Sequence, residues 1–509
     1  MVASDIPFLS LLIVLPLAGS LLVFFLPARW ARWLALAFSL APLVISIHIY
    51  GLVWDSPAPA GAGYLSAGSL HFSENHEWVP ALGISYSLGV DGLSLPLVFL
   101  TALLSFLAII FSWSETRRPK EYFGLMLVME VGVIGVFMAL DFFLFYIFWE
   151  VVLIPMYFLI GVWGGPRKEY AAIKFFIYTH VASVVMLLGI MGLYFQCKAV
   201  LGHATFSIIE ISKVAPTLSA GFQYVAFAAL FFGFAVKMPS VPFHTWLPDA
   251  HVEAPTAGSV LLAGLLLKMG GYGLIRVALP ILPTAAEAAV PAMVVLAVAS
   301  ITYGALVCIA QNDLKKMVAY SSISHMGFVM LGAATLSPIG ISAGVFQMFN
   351  HGLITAVLFM MCGVIHHSAG TREISRLGGL AQKMPAAAAV MLVGSLASLG
   401  LPGLCSFVSE FMVFYAAFTA FGGWMWIAVS AVALTAAYYL WAAQRALFGN
   451  FKVDLPEGEK GHLDDLHAHE ALALGVLIAL IVFFGLFPSV VLDLTNAAAS
   501  AVSGILGGG

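Results

Sequence analysis

Apolar stretches as long as a bilayer is thick recur along the whole chain, and they leave few folds open to it. A helix needs about 20 apolar residues to cross a hydrocarbon core of about 30 Å. Fourteen stretches meet that length, near 6–26, 31–53, 92–113, 121–140, 141–163, 171–196, 221–247, 255–279, 287–311, 314–335, 338–367, 385–421, 424–449 and 470–493. Lipid offers the backbone no hydrogen-bond partner, so each stretch must satisfy its own N–H and C=O groups as a helix. The expected fold is all-α, a polytopic membrane protein of about fourteen transmembrane helices. With 62% hydrophobic and only 9% charged residues, the 509-residue chain lacks the polar surface of a soluble domain. The first stretch is expected to stay in place rather than be cleaved, because its leader, MVASD, carries an acid and no Lys or Arg.

The connecting loops are strongly asymmetric in charge. Of 21 Lys and Arg, 15 fall in loops that alternate onto one side: Arg29, Arg32, Arg117, Arg118, Lys120, Arg167, Lys168, Lys315, Lys316, Arg372, Arg376, Lys383, Arg445, Lys452 and Lys460. Lys198, Lys213 and Arg276 fall opposite, and Lys174, Lys237 and Lys268 fall within helices, Lys174 near enough to an end to snorkel. The positive-inside rule then puts both termini outside the cytoplasm. No basic cluster is large enough for nucleic acid.

Cofactor chemistry finds no purchase in this sequence. Cys197, Cys308, Cys362 and Cys405 are scattered without CxxC spacing and read as small core hydrophobes, whereas zinc and iron–sulfur sites need clustered thiolates. His71, Glu74, His76 and Glu77 lie in segment 51–91, which holds no Lys or Arg and reads as an external loop, with a short turn at SYSLGVDGLS before helix 3. Their spacing fixes no metal geometry. Neither a GxGxxG after a strand nor a GxxxxGK[ST] loop is present to hold a nucleotide.

The charged residues inside the apolar stretches carry the functional signal. Between Gly221 and Arg276, two apolar runs hold Lys237 and Lys268, separated by Pro239, Pro242, Pro248 and Pro255 with His244, Asp249, His251 and Glu253. A lysine at a helix centre costs roughly 2.5 to 3.5 kcal/mol to insert, so it belongs inside the bundle and on an ion or proton path. Proline two residues after Lys237 should open helix 7, and open backbone at membrane depth survives only against protein or water. Helix 12 repeats the device, with Gly400, Pro402 and Gly403 ahead of Glu410. The two broken helices are five apart, so helices 4–8 and 9–13 form two five-helix units. Five being odd, the second is inverted, and matching breaks point to the ion site. The chain divides into 1–120 with the external loop 51–91, repeats at 121–280 and 287–449, and 450–509 as polar loop plus helix 14.

Other polar groups lie at membrane depth: Glu130 in helix 4, Glu150 with Pro155 soon after it in helix 5, His180 in helix 6, His325 in helix 10 and His351 in helix 11. Glu130 reads either as a protonated packing carboxyl or as part of the path. Two intramembrane histidines on successive helices are suited to passing a proton near pH 7. His366 and His367 read as interfacial, and His462, His467 and His469 as surface residues.

The blocks VPFHTWLPDAHVEAPTAGSVLLAGLLLKMGGYGLIR, FWEVVLIPMYFLIG, AYSSISHMGFV, FNHGLITAVLFM and LPGLCSFVSEF together resemble the subunit M (chain 4) family of proton-pumping NADH:quinone oxidoreductase, respiratory complex I. The resemblance covers nearly the whole chain. HTWLPDAHVEAPT marks the antiporter-like superfamily, and Glu410 marks subunit M, since chains L and N and the multi-subunit sodium/proton antiporters usually carry lysine there. No long amphipathic extension follows helix 14, unlike chain L. The resemblance implies an ion pair between Glu150 and Lys237, a central relay at Lys268 continued by His325 and His351, and an exit at Glu410. Glu130, His180 and His244 are secondary candidates. It also implies a bacterial inner-membrane location, chains L and N as lateral neighbours, and flavin, iron–sulfur clusters and quinone held by other subunits. A subunit of a cation/proton antiporter or of a membrane-bound hydrogenase is the alternative.

Such a pair makes a usable switch. At about 6 Å and an effective dielectric of about 20, two charges interact by about 2.8 kcal/mol. Moving one charge against 100 mV takes about 2.3 kcal/mol, so the two are matched in size.

Overall fold

The computed structural model describes residues 6–54, 63–66, 69–453 and 463–507. The leader at 1–5, part of the external loop, Lys460 and His462 lie outside them. Among the described residues twelve helices are long and apolar enough to cross a membrane. The 17-residue helix 3 (Leu95–Phe111) and the broken pair Pro385–Ser398 and Cys405–Phe421 complete the fourteen spans.

Burial separates the centre of the bundle from its rim. Helix 8 (Thr256–Ile281) is buried along its whole apolar window, and helices 10 (Leu314–Ala334) and 11 (Pro338–Ala369) over 94% of theirs. Helices 1 (Phe8–Phe25), 6 (Lys168–Leu201), 13 (Trp426–Leu447) and 14 (Ala468–Leu486) bury less than half and form the rim. Polar residues at membrane depth therefore collect on helices 8, 10 and 11, where no lipid reaches them.

Both helix breaks fall at the prolines and glycines. Helix 7 (Ala220–Lys237) stops at Lys237, and the chain runs without helix to Trp246–Glu253. Its freed backbone is satisfied by protein: Val241 N–H donates to Ser300 Oγ at 2.9 Å, and Trp246 Nε1 donates to the Val236 carbonyl at 3.0 Å. In helix 12 the chain turns at Gly400 (φ +80°) and Gly403 (φ +91°), left-handed values that glycine adopts without a steric penalty. Helix 5 is nicked at Val152 (Phe142–Val151, then Leu153–Trp163), where the Pro155 nitrogen has no hydrogen to give to Val151.

Segment 51–91 holds more structure than a loop. Strands β1 (Phe72–Val79) and β2 (Ile84–Val90) pair antiparallel, with Phe72 opposite Val90 and Val79 opposite Ile84. SYSLGV is thus strand rather than turn, and His71 is buried at its edge. Glu74 accepts from Leu9 N–H at 2.8 Å and Ser10 N–H at 3.1 Å, satisfying free donors at the start of helix 1. Asp141 does the same for helix 5 and also accepts from Ser85 N–H of β2 at 3.0 Å. The hairpin ties the N-terminal ends of helices 1 and 5 together.

A further helix, Ser489–Ile505, follows helix 14. Its buried residues Val491, Leu494, Thr495, Ala498, Ala499 and Val502 recur at three- and four-residue spacing, the stripe of a surface helix. Thr495 and Asn496 meet Ser342 of helix 11 at 2.7 and 2.8 Å. This seventeen-residue helix is an addition to the sequence expectation.

Arg276 and Lys315, assigned to loops by the sequence, are both buried. Arg276 lies inside helix 8 and forms an ion pair with Asp91, while the Tyr64 hydroxyl donates to its carbonyl. Burial raises the Asp91 carboxyl, and the Arg276 guanidinium with the Leu93 and Ser94 N–H groups outweighs this and holds it below the usual carboxylate range. The stabilisation is present above the unfolded Asp value of about 4 and is lost as pH falls through the lower folded value. Asp91→Asn strands a buried guanidinium, so we expect a loss of about 3 to 5 kcal/mol, measured by thermal unfolding in detergent. Unchanged melting in that variant would show the pair to be energetically idle.

Candidate functional site

Helices 8 and 11 approach backbone to backbone at Gly264 and Gly352; a Cβ on Gly352 would lie 3.1 Å from the Gly264 carbonyl. That approach brings Lys268 to His351. The Lys268 ammonium lies 2.6 Å from His351 Nδ1 and donates to the Ala263 carbonyl at 2.5 Å. Helix 8 is π-helical over Leu262–Leu266 and again over Leu274–Ala278. The wider turn gives up the regular i to i+4 pairing around Ala263, and Lys268 caps that carbonyl; π-segments of this kind often mark functional positions.

From His351 the polar row continues across helix 10 to helix 12. The His351 and His325 rings are 5.6 Å apart. His325 Nδ1 lies 3.2 Å from Glu410 Oε1, which also accepts from Ser406 Oγ at 2.8 Å and from Gln347 Nε2 at 3.4 Å. Asn350 donates to the Cys405 carbonyl at 2.7 Å and fixes the start of the second half of helix 12. Four candidates, Lys268, His351, His325 and Glu410, thus form one row through the buried core.

The other candidates stand apart from that row. The Glu150 carboxylate meets His180 Nδ1 at 3.0 Å, and no Glu150–Lys237 ion pair lies within 4.0 Å among the described residues. Lys237 is 1% exposed. Its ammonium has no hydrogen-bond partner among the described residues and lies 5.6 Å from the Trp149 ring and 5.8 Å from the Phe175 ring. Glu150 is close enough for its charge to act on Lys237. Glu130 is buried with neither oxygen partnered among the described residues, and His244 packs edge-on to Tyr303. Lys174, expected to snorkel, pairs with Asp249 at 2.6 Å, and Arg167 with Asp249 and Glu253 at 3.8 and 3.7 Å, holding Trp246–Glu253 to helix 6.

Three further groups belong with the row. His251 is fully buried and stacked on Phe359 at 4.5 Å, with neither ring nitrogen partnered among the described residues. Its charged neighbours are Lys315 and Lys268. Lys315 donates to the Ala254 carbonyl at 2.5 Å and lines a cavity of about 220 Å³ with Glu253, Thr256, His366 and Arg372. His325 Nε2 touches Ser398, which leads to Tyr439. The sequence placed His251 in the break without giving it a role, and Lys315 looked like one half of a loop KK pair. No group of three or more His, Cys, Asp or Glu among the described residues comes together to hold a metal.

Residues 139–435, which carry every member of the buried row, match the family model of the NADH:quinone oxidoreductase/Mrp antiporter transmembrane region. The chain belongs to this family. Subunit M of the F420H2 dehydrogenase of Methanosarcina mazei is 44% identical, over 99% of both chains. Subunit M of the NADH-quinone oxidoreductase of Rhodobacter capsulatus is 40% identical over 96% of this chain and 94% of that one. A chain of respiratory complex I from Thermus thermophilus has the same fold, with a TM-score of 0.87 and 30% identity over 98% of this chain and all of that one. The family matches the resemblance carried by the sequence blocks, and the relatives agree with its subunit M assignment.

Proposed function

We propose that this family member is the proton-translocating subunit M of a respiratory complex of the NADH:quinone oxidoreductase type, with the redox groups in other subunits. The buried row from Lys268 to His351, across a 5.6 Å ring contact to His325, and on to Glu410 supports this reading. Three of its members can each gain and lose a proton in sequence around the central amine, and the row ends beside the break in helix 12, where Ser406 and Gln347 donate to the Glu410 carboxylate.

Protons enter from the side rich in Lys and Arg, which by the positive-inside rule is the cytoplasm of a bacterial inner membrane. The cavity at Lys315 takes them up, and His251 hands them to Lys268. Glu150 is the switch, held by His180 in one state and turned towards Lys237 in the other. Its approach stabilises the ammonium, and its return to His180 frees the proton. Glu150 and His180 are 24% and 44% exposed on the flank of the bundle, so a neighbouring antiporter-like chain, L or N, would both cover the pair and set its state.

The identity of the electron donor rests with the partner subunits. The M. mazei relative belongs by name to an F420H2 dehydrogenase, which favours a second reading with that donor in place of NADH. Purification of the tagged chain from its native membrane decides between them. We expect flavin- and iron–sulfur-containing subunits to co-purify and one of the two donors to be oxidised. A stable complex with no electron-transfer subunit would establish the antiporter alternative instead. In the purified complex, Lys237→Ala should assemble and lose coupled proton uptake by vesicles; full pumping would remove Lys237 from the path.

A further inference from the structure

His325 touches Glu410 through one ring nitrogen and Ser398 through the other, and beyond Ser398 lies a chain of hydroxyls that the relay as described does not use. His325 Nε2 is 3.0 Å from Ser398 Oγ. Ser398 Oγ donates to the Tyr439 hydroxyl at 2.9 Å, Tyr439 donates to Ser321 Oγ at 2.9 Å, and Ser321 donates to the Val318 carbonyl at 2.8 Å. All three hydroxyl residues are at most 1% exposed. We propose that Ser398, Tyr439 and Ser321 are positioning residues whose one-way hydroxyl chain fixes a proton on His325 Nε2 and so makes His325 and Glu410 hold one exchangeable proton between them.

The direction of the chain follows from its far end. A carbonyl only accepts, so Ser321 spends its hydrogen on Val318, Tyr439 spends its own on Ser321, and Ser398 on Tyr439. Ser398 then presents a lone pair to His325, and Nε2 must carry hydrogen. On the opposite edge, Nδ1 lies 3.2 Å from Glu410 Oε1. A neutral imidazole protonated at Nε2 would set a lone pair against a carboxylate lone pair there, so the contact requires a proton. Oε1 already accepts from Ser406 and Gln347, which places that proton on Nδ1. The loaded state is an imidazolium beside a carboxylate. When the proton leaves from Nδ1 through Glu410, Nε2–H remains, two lone pairs face each other, and the contact opens.

The break in helix 12 gives the device its position. Ser398 ends the first half-helix and Glu410 lies on the second, so His325 bridges both halves and senses any change between them. The titratable groups facing this pair are His351 from helix 11 with Lys268 behind it, Tyr439 and Tyr438 from helix 13, and Cys405 at the start of the second half-helix. Only Tyr439 connects to Nε2 through Ser398.

The inference rests on the relay reading, and the two fail differently. Tyr439→Phe keeps the ring and deletes the hydroxyl, so Ser398 can turn and donate to Nε2. Neutral His325 then carries hydrogen at Nδ1 and still satisfies Glu410, and the pair releases its exchangeable proton more readily. In the purified complex reconstituted in vesicles, the alkaline limb of the pumping profile should move to lower pH by about half to one unit, the worth of one neutral hydrogen bond. Ser398→Ala should shift it the same way and add little to Tyr439→Phe, whereas Tyr438→Phe should leave it in place. If Tyr439→Phe does not assemble, Ser321→Ala frees the Tyr439 hydroxyl to turn back and carries the same expectation. An unshifted profile in the assembled variants, or an equal shift with Tyr438→Phe, overturns the hydroxyl chain. Wild-type pumping by His325→Ala overturns the relay itself; an inactive His325→Ala beside an unshifted Tyr439→Phe discards only the chain.

Discussion

Lys268→Met should abolish proton translocation in a complex that still assembles. Lys268 is fully buried, and its amine joins the Ala263 carbonyl of the π-segment to His351. Methionine keeps most of the volume and none of the titration, so the core stays filled while the relay loses its central member. The stability cost is the buried imidazole nitrogen of His351 left without the amine, about 1 to 3 kcal/mol, which a complex with this much buried surface can absorb. Losing a positioned proton-transfer group typically costs 10² to 10⁴ in rate, so pumping should fall at least about 100-fold. Lys268→Arg completes the argument. Guanidinium keeps the charge and does not release a proton in this range, so it too should stop pumping if the proton matters, and should pump if charge alone suffices. The measurement is proton uptake per donor oxidised in vesicles, with assembly checked on native gels. Near-normal uptake in the methionine variant would remove Lys268 from the relay.

The legible part of this fold was the part governed by hydrophobic length and by proline and glycine. Spans of about 20 apolar residues emerge as helices because lipid permits nothing else, and the breaks at Pro239 and at Gly400–Gly403 appear where the backbone chemistry requires them. The features that were missed depend on partners remote in sequence. FSENHEWV is polar and weakly alternating, and it becomes a strand only because ISYSLGV pairs with it and Glu74 reaches helix 1. Ser489–Ile505 is too amphipathic for a hydropathy reading and is held by Ser342, 153 positions before its partner Thr495. Arg276 looked like a loop charge because Asp91, which makes its burial tolerable, lies 185 positions away. No residue pattern announces the two π-segments around Lys268. At the site, residue types and order were legible and distances were not: Lys268, His351, His325 and Glu410 join in one row, whereas Glu150 lies against His180.

Glu410 gives the test that best separates a proton path from packing. Its carboxylate sits 6% exposed behind the break, takes hydrogen bonds from Ser406 and Gln347, and faces His325; a Cβ on Gly400 would come within 3.0 Å of its Oε2. Glu410→Asp withdraws the carboxylate by one methylene, weakening its contacts but keeping a group that titrates, and should retain part of the pumping. Glu410→Gln preserves the volume and the contact with Ser406, but its amide neither accepts a relay proton nor balances an imidazolium, so most pumping should be lost. Glu410→Lys sets a cation against His325 with Lys268 and His351 close behind, and like charges at such depth are costly. We expect that variant to assemble poorly or to pump least of the three. Proton pumping per donor oxidised, compared across assembled complexes, gives the ranking Asp above Gln above Lys. If Gln matches the wild type while Asp does not, volume rather than titration is what the position requires, and the outward path leaves the row before Glu410.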